Sequence, residues 1–495
     1  MSDDRDDRDD RDDREAALDA MDRLLDEFED DEAVSYAEVG GVYQEKTDLV
    51  VTDDGPRNRT AFTETGVWLR VFANGAADYR YTTSLDDESL RDVADRAIRS
   101  GEVLAQSEPG RFDAYTRHRA THGGWAETGL DTVDVDDVVD AIDAGLAHTD
   151  GLALERRWVN YTDAHIEEAM GTTTGSVVQT TLDRAQLAFS LTSIDGPKVR
   201  RHAGSTAGAA FLEAIPDRIA TAADDLERLV DADLASVDPG ESVVALSPYA
   251  AGQLFHLVAH ALEADAGYMG LSPYAVGDEI GPPALRIDDT VRAGSWAARA
   301  YDAEVRPTTP MTLVADGTVR RLLHNTTTAA DHETEPAGHS VPSLGFTEPP
   351  RIHARHLEVA PGDADAATLR DGADVYVERF GTPWLRDEFE RVQRAGVFPA
   401  SVLYAKDIDE MTTDRPDRGT ASFPIAEGYR LVDGEPVGRI EDRAFEYDPS
   451  VLASLSHIGA ARETVTGVCE KHKSRLPFAV TAPGVRLSAP LSASR

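Results

Sequence analysis

The sequence predicts an α+β protein with two domains, an N-terminal α/β domain of hairpins and helices and a β-rich C-terminal domain carrying one prominent helix. Its 495 residues exceed the size of one typical core, and 41% of them are hydrophobic, a fraction that builds ordinary cores. Val67, Leu69 and Val71 alternate with other residues, a pattern typical of strands. A segment with Pro239 and Gly240 separates the two halves and predicts the boundary.

The N-terminal half begins with a charged segment. Residues 1–32 hold an Asp-Asp-Arg repeat, which cannot bury apolar surface and is expected to be a solvated tail, and a leading helix that begins near Ala16. Residues 33–235 follow as the N-terminal α/β domain. In that domain the Asn-Gly pair at 74–75 predicts a hairpin turn, and Ser84 predicts the cap of a helix.

Residues 236–495 are predicted to form the C-terminal domain. A helix is expected over about residues 249–266, and strand-like runs beyond it meet at turns such as the Asp-Gly pair at 316–317. Asp288 and Asp289 are more typical of a turn than of a catalytic pair. This half therefore predicts strands and turns around one helix.

The charge of the chain excludes some classes of function. Its net charge is -42, from 91 acidic and 49 basic residues, so no basic surface is available to neutralise phosphates and no nucleic-acid partner is expected. Such an acidic, lysine-poor composition is typical of halophilic proteins in a high-salt cytosol, where salt screens the repulsion between like charges.

The single cysteine fits a reducing compartment, and no apolar run is long enough for a membrane span. We expect a cytoplasmic protein with no membrane partner.

The stretch GQLFHLVAHALEAD, residues 252–265, carries the strongest chemical signal. On a helix, His256, His260 and Glu263 lie on one side, and two imidazoles at this spacing suit zinc. Cys469 is a remote candidate for a third ligand, and the neighbouring residues 471–473 (Lys-His-Lys) would favour its thiolate. The alternative is that the histidine pair reflects packing and that the cysteine is a small buried hydrophobe.

Several segments resemble the TldD/PmbA family of metallopeptidases, also called modulator of DNA gyrase proteins. GESVVALSPYAAGQLFHLVAHALEAD is similar to the family's metal-site segment, and SFPIAEGYRLVDGEPVGRI and VTGVCEKHKSRLPFAVTAPGVRLS resemble its C-terminal signatures. The similarity runs in order from about Ala33 to Ser488. It implies a two-domain dimeric protein, often of unlike subunits, whose catalytic subunit is a zinc peptidase acting on unfolded or extended peptides.

The resemblance also implies which residues bind the metal, and here the chain departs from the family. The motif H-E-x-x-x-H and a C-terminal cysteine place the second histidine on His260 and the thiolate on Cys469, but the first histidine falls on Phe255 and the glutamate on His256. One outcome is a zinc site of His256, His260 and Cys469, with Glu263 as a replacement general base. The other is a catalytically silent partner subunit of a heteromeric complex.

The first outcome is our prediction: a zinc-dependent peptidase with an altered metal motif. The sequence leaves open the natural substrate and the choice between a homodimer and a heterodimer with a related subunit. A silent subunit would bind no metal and form a stable hetero-complex.

Overall fold

A computed structural model describes residues 3–53, 55–73, 76–104, 117–266, 274–382, 384–385, 420–471 and 473–494. It confirms the predicted α+β class, with a β-rich C-terminal half. The hairpin turn predicted at 74–75 and His472 lie outside the described residues.

The helices are distributed over both halves of the chain. Their bounds are α1 Asp3–Asp30, α2 Asp87–Leu104, α3 Val135–Leu146, α4 Ile215–Asp231, α5 Pro248–Ala261, α6 Thr326–Asp331 and α7 Ala366–Arg370.

The first seven strands form one sheet. Their bounds are β1 Val34–Thr52, β2 Gly55–Ala73, β3 Ala76–Thr82, β4 Arg119–His122, β5 Leu154–Thr172, β6 Val177–Ser193 and β7 Lys198–Ser205.

The other strands all follow residue 239. Their bounds are β8 Gly240–Leu246, β9 Ile287–Thr290, β10 Met311–Ala315, β11 Thr318–Val319, β12 Ser340–Val341, β13 Arg351–Ile352, β14 His356–Val359, β15 Val375–Phe380, β16 Trp384–Leu385, β17 Ala421–Val432, β18 Glu435–Arg439, β19 Arg443–Tyr447, β20 His457–Lys471 and β21 Ser474–Ala493.

The N-terminal sheet has the order β3-β2-β1-β5-β6-β4, with β7 paired to β6. Side chains alternate between its two faces because successive residues of a strand point in opposite directions. Val39 of β1 is buried beneath α1 and α2, and Leu49 packs with α3 and α4. Val42 of the same strand belongs to a cluster with Ala303 and Phe346, so the opposite face of the sheet contacts the C-terminal half.

The C-terminal sheet contains a closed set of strands. β8 pairs in parallel with β15 and antiparallel with β21, so that β8, β15, β17, β19 and β21 form a ring. Closure removes free strand edges. β20 pairs along β21, and α5 packs against both strands of this hairpin. The predicted boundary at residues 235/236 falls between α4 and β8.

Three local predictions were wrong. The leading helix α1 begins at Asp3 rather than near Ala16, so it includes the Asp-Asp-Arg repeat, in which an aspartate stands four residues before most arginines, a spacing that stabilises helices. Asp86, rather than Ser84, caps α2, because its carboxylate accepts hydrogen bonds from the amides of Glu88 and Ser89.

The third wrong prediction concerns Asp288 and Asp289. They lie in strand β9 rather than in a turn. Asp289 is fully buried and accepts hydrogen bonds from Arg355 and from the ring of His339, both of which are also buried. A buried carboxylate with such partners is satisfied inside a sheet, which the sequence pattern could not indicate.

Candidate metal centre

The helix α5 carries two of the candidate ligands. Ser247 caps it by accepting a hydrogen bond from the amide of Ala250, and Pro248 occupies its first turn. Phe255, the position at which the family's first histidine would fall, is fully buried in the C-terminal core. The next side chain, His256, leaves the core and faces His260 with 4.7 Å between ring centroids. The helix therefore presents His256 without any shift of its register.

Four donor side chains meet beside this helix. His256, His260, His353 and Cys469 each offer one ligand atom, and these four atoms all lie within 4.8 Å of one another. The two residues from outside α5 come from the segment after β13 and from β20. Three imidazole nitrogens and one thiol sulfur are a donor set that zinc accepts in tetrahedral geometry.

Hydrogen bonds fix the orientation of His260. Its Nδ1 lies 2.9 Å from Oε2 of Glu263, and its Nε2 lies 3.3 Å from Sγ of Cys469. Because a carboxylate accepts, Nδ1 carries the proton and the lone pair of Nε2 points toward the other donors. A carboxylate behind a histidine in this way is the usual support of a metal-binding imidazole.

A backbone carbonyl fixes the orientation of the His353 ring, as Glu263 does for His260. Its Nδ1 lies 2.6 Å from the carbonyl oxygen of Ala354, so Nδ1 donates there and Nε2 keeps its lone pair. Nε2 of His353 is buried and has no hydrogen-bond partner among the described residues. An unsatisfied buried nitrogen that faces two imidazoles and a thiol fits a bound cation.

His256 is more exposed than the other two histidines of the cluster. It is half-buried and stacks on Phe478 with 3.7 Å between ring centroids. The described residues offer neither of its nitrogens a hydrogen bond. Its ring is therefore positioned by contacts with the rings of Phe478, His260 and His353, while both nitrogens remain available.

A buried ion-pair network lies next to the donors. Nζ of Lys471 donates to Oε2 of Glu263 at 2.7 Å, to Oδ1 of Asp265 at 2.6 Å and to the carbonyl oxygen of Ile352 at 2.8 Å. Lys471 and Glu263 are both fully buried. The network joins the end of α5, the strand before His353 and the hairpin that carries Cys469, so it fixes these three segments to one another.

Burial sets the protonation of the donors. It lowers the pKa of both His260 and His353 to about 3, and burial followed by the proximity of His260 holds the pKa of His256 well below its usual value. All three imidazoles are therefore neutral near neutral pH, the state that binds metals.

The thiol behaves differently from our sequence-based expectation that nearby lysines favour the thiolate. Burial, and secondly Glu263, raise the pKa of Cys469 to about 12. The charge of Lys471 is neutralised by its two carboxylate partners, and Lys473 is exposed. In this environment the thiol keeps its proton until a cation displaces it.

The four residues that the sequence singled out end up in one place, with a fifth that it missed. His256, His260 and Cys469 lie together in the donor cluster, and Glu263 lies behind His260. His353 was missed because it follows a two-residue strand and belongs to no periodic pattern. The sequence signal for His353 was the segment RIHARH, residues 351–356, which contains two histidines. Nothing in the sequence alone places that segment beside the helix that carries His256 and His260.

Two models of known protein families match the chain. Residues 239–489 match the model of the PmbA/TldA metallopeptidase C-terminal domain, which covers more than half of the chain, and residues 37–101 match PmbA/TldA metallopeptidase domain 1. The chain belongs to the TldD/PmbA family of metallopeptidases.

One characterised relative is similar to part of the chain. The metalloprotease slr0863 of Synechocystis sp. is 27% identical over 225 residues, which are 44% of this chain and 48% of that protein. The chain thus matches about half the length of that relative.

Solved structures share the fold over nearly the whole chain. A protein of Thermotoga maritima named as a candidate modulator of DNA gyrase superposes with a TM-score of 0.69 at 17% identity, covering 96% of this chain and 100% of that one. TldE of Thermococcus kodakarensis gives a TM-score of 0.67 at 13% identity, with 96% and 100% coverage. Among the described residues, no helix is both long and apolar enough to span a membrane.

Proposed function

We propose that this TldD/PmbA family member is a zinc-dependent peptidase acting on unfolded or extended peptides. The observation that carries the proposal is the convergence of three imidazoles and a thiol within 4.8 Å, at the place where the family motif is altered. Two of the four donors, His260 and Cys469, stand at positions that the resemblance assigns to metal ligands, and His256 stands at the position of the family's glutamate. The fourth, His353, supplies an imidazole that Phe255 cannot.

Within this proposal, His260, His353 and Cys469 are the ligands. The first two have a protonated Nδ1 fixed by a carboxylate or a carbonyl and a free lone pair on Nε2, as metal-binding histidines do. Catalytic zinc sites have three protein ligands and one open position. His256, half-buried and free of hydrogen bonds to described residues, would then border that open position, where the family has its glutamate.

Each residue has a distinct task in this arrangement. When bound, zinc polarises the peptide carbonyl and makes water more acidic. His256 is neutral because its pKa is low, so one of its free nitrogens can accept the proton of the attacking water and later pass it to the leaving amine. Phe478 holds its ring by stacking. The weak basicity of His256 predicts slow turnover.

Glu263, the base predicted from the sequence, is better suited to positioning. Its Oε2 contacts Nδ1 of His260, while Nε2 on the other side of the same ring faces Cys469. The carboxylate thus lies behind the ligand, away from the open position. We assign it the orientation of His260.

Peptide cleavage in high salt tests the proposal. The purified chain, loaded with zinc, is expected to cleave a denatured protein but not its folded form, and a chelator should abolish the cleavage. His260→Ala should be inactive, whereas His256→Ala should retain zinc and lose turnover. Cleavage of folded and denatured substrates at equal rates would refute the substrate class, and cleavage that survives the chelator would refute the metal dependence.

The alternative is the silent partner subunit, and the loss of the family's first histidine at Phe255 favours it. It predicts no cleavage, no zinc and a stable complex with a related subunit that carries the intact motif. The peptidase proposal is compatible with either a homodimer or a heterodimer. Co-purification from the source cells, followed by mass determination of the complex, separates these cases.

A further inference from the structure

Arg184 of β6 is a buried cation whose guanidinium has two nitrogens without a hydrogen-bond partner among the described residues. Its side chain is 4% exposed, and its Nε and Nη2 are buried without any hydrogen bond to the described residues. Its guanidinium lies over the ring of Trp296, 5.3 Å from the centroid. A cation–π contact offsets only part of the cost of burying a charge. The carboxylate of Glu168 lies close enough to attract Arg184, but it is hydrogen-bonded to Arg299.

The unpaired guanidinium lines a cleft between the N-terminal sheet and the C-terminal half. The cleft is partly open to solvent, and its cavity volume is about 30 Å³. One wall is the face of the sheet that carries Val42 and Trp68, and the other includes Arg299 and the segment 342–350. Alternation along β6 places Arg184 on the same face as Leu182, which belongs to this contact region.

The other charges of the cleft are already paired. Arg299 donates to the carboxylate of Glu168 from the opposite wall. Glu348 accepts hydrogen bonds from Ser343 and from Arg475. Among the described residues that line the cleft, Arg184 and Arg299 share the single carboxylate of Glu168, so the guanidinium of Arg184 is left without an ion pair of its own, in a chain whose net charge is -42.

Both walls of the cleft are attached to the hairpin that carries Cys469. Beneath Arg184, Nε1 of Trp296 donates to the carbonyl oxygen of Gly467 at 2.9 Å. On the other wall, the amide of Leu344 donates to the carbonyl oxygen of Arg475 at 2.8 Å. The cleft thus adjoins the metal centre through the β20–β21 hairpin.

We propose that Arg184 is a substrate-binding residue that takes a carboxylate of the peptide through its guanidinium. The inference rests on the proposed peptidase function. The planar fork of N–H donors matches a carboxylate in two parallel hydrogen bonds. The cleft is partly open to solvent, so the adjoining peptide chain can extend out of it. The carboxylate comes from the C-terminus of the peptide or from an acidic side chain, and a binding experiment distinguishes the two.

The test is fluorescence anisotropy with the full chain in the presence of a chelator, so that binding is measured without cleavage. Three labelled peptides share one uncharged sequence: one has a free C-terminal carboxylate, one a C-terminal amide, and one an amide with a single internal aspartate. The carboxylate peptide should bind roughly 10- to 100-fold more tightly than the plain amide, as expected for a charge-assisted pair. Tight binding of the aspartate peptide as well would identify a side-chain carboxylate as sufficient.

Variants assign the effect to the guanidinium. Arg184→Gln should abolish the preference for a carboxylate, and Arg184→Lys should restore part of it. Arg320→Gln, which removes an exposed positive charge elsewhere, is the matched control and should leave the preference unchanged. Equal affinities for carboxylate and amide in the wild type, absence of binding by all three peptides, or a preference that persists in Arg184→Gln would overturn the proposal.

The thermal stability of a second variant distinguishes ligand binding by Arg184 from a purely structural role. If Arg184 is kept unpaired for a ligand, Arg184→Met should raise the Tm of the ligand-free chain, because it removes an uncompensated buried charge. A lower Tm would identify a structural residue. If the wild-type chain cleaves no peptide but still binds the carboxylate peptide more tightly than the amide, the peptidase proposal is refuted and the binding site at Arg184 is not.

Discussion

Single residues decide the chemistry of the cluster. Asp289 and Glu263 are both buried carboxylates with basic partners, but only Glu263 stands behind a donor of the cluster. The pattern of His256 and His260 was visible in the sequence because a helix repeats every 3.6 residues. His353 was not, because a ligand that arrives from a loop leaves no periodic trace.

Lys471 provides a first test at this scale. Lys471→Met leaves Glu263 and Asp265 without their shared cation, so we expect a loss of about 3–5 kcal/mol in the free energy of unfolding. Denaturant titration in the presence of a chelator measures the loss without a contribution from bound metal. Lys473→Met, at an exposed position two residues later, is the control and should change little. Equal effects of the two variants would contradict the account of the network.

His165 gives a pH-dependent prediction. Its hydrogen bond to Asp183, 2.9 Å long, raises its pKa from 6.5 to about 8. A raised pKa means that the pair stabilises the fold fully below pH 6.5 and that this stabilisation disappears as pH rises through about 8. His165→Asn should therefore cost more at about pH 6 than at about pH 9, by at most ~2 kcal/mol and less after solvent screening.

Unfolding of both proteins at the two pH values measures this difference. The exposed His148→Asn is the control and should show the same stability difference at both. A cost of His165→Asn that is independent of pH would mean that the pair is not ionised as described.

At the scale of elements, the site depends on how closely α5 approaches β20. Gly252 permits that approach, because a Cβ there would lie 2.7 Å from Cγ2 of Val465. Gly252→Val should push the helix away from the strand, separate His260 from Cys469, and weaken zinc affinity roughly tenfold or more, although it removes no donor. Competition with a chromophoric chelator measures the affinity, and Gly123→Val, at a position with open space, is the control.

The elements themselves were largely predictable. The helix expected over 249–266 is observed as Pro248–Ala261, since its apolar residues and its Ser247 cap are both local signals. The ring of β8, β15, β17, β19 and β21 was not predictable, because which strands pair is decided by contacts between distant segments. The same holds for the cleft at Arg184, which exists only where the N-terminal sheet meets segments between strands of the C-terminal half.

At the scale of the whole molecule, charge is the dominant property. With 91 acidic and 49 basic residues, the folded chain repels itself unless salt screens it. We expect the Tm to rise steeply between about 0.1 M and about 2 M KCl, because the Debye length falls from ~10 Å to a few ångströms. Buried pairs such as Arg70 with Glu38 are little affected by this screening. A Tm that is constant across these concentrations would contradict a high-salt adaptation.

The central claim is that the cluster binds one metal ion, and zinc content by plasma mass spectrometry tests it most directly. The wild type, purified in high salt without chelator, should carry about one zinc per chain. His260→Ala, His353→Ala and Cys469→Ala should lose it, whereas His256→Ala should keep it. Loss in all four variants would make His256 a ligand, as the sequence first suggested. A wild type without zinc, or zinc retained in the first three variants, would contradict the claim.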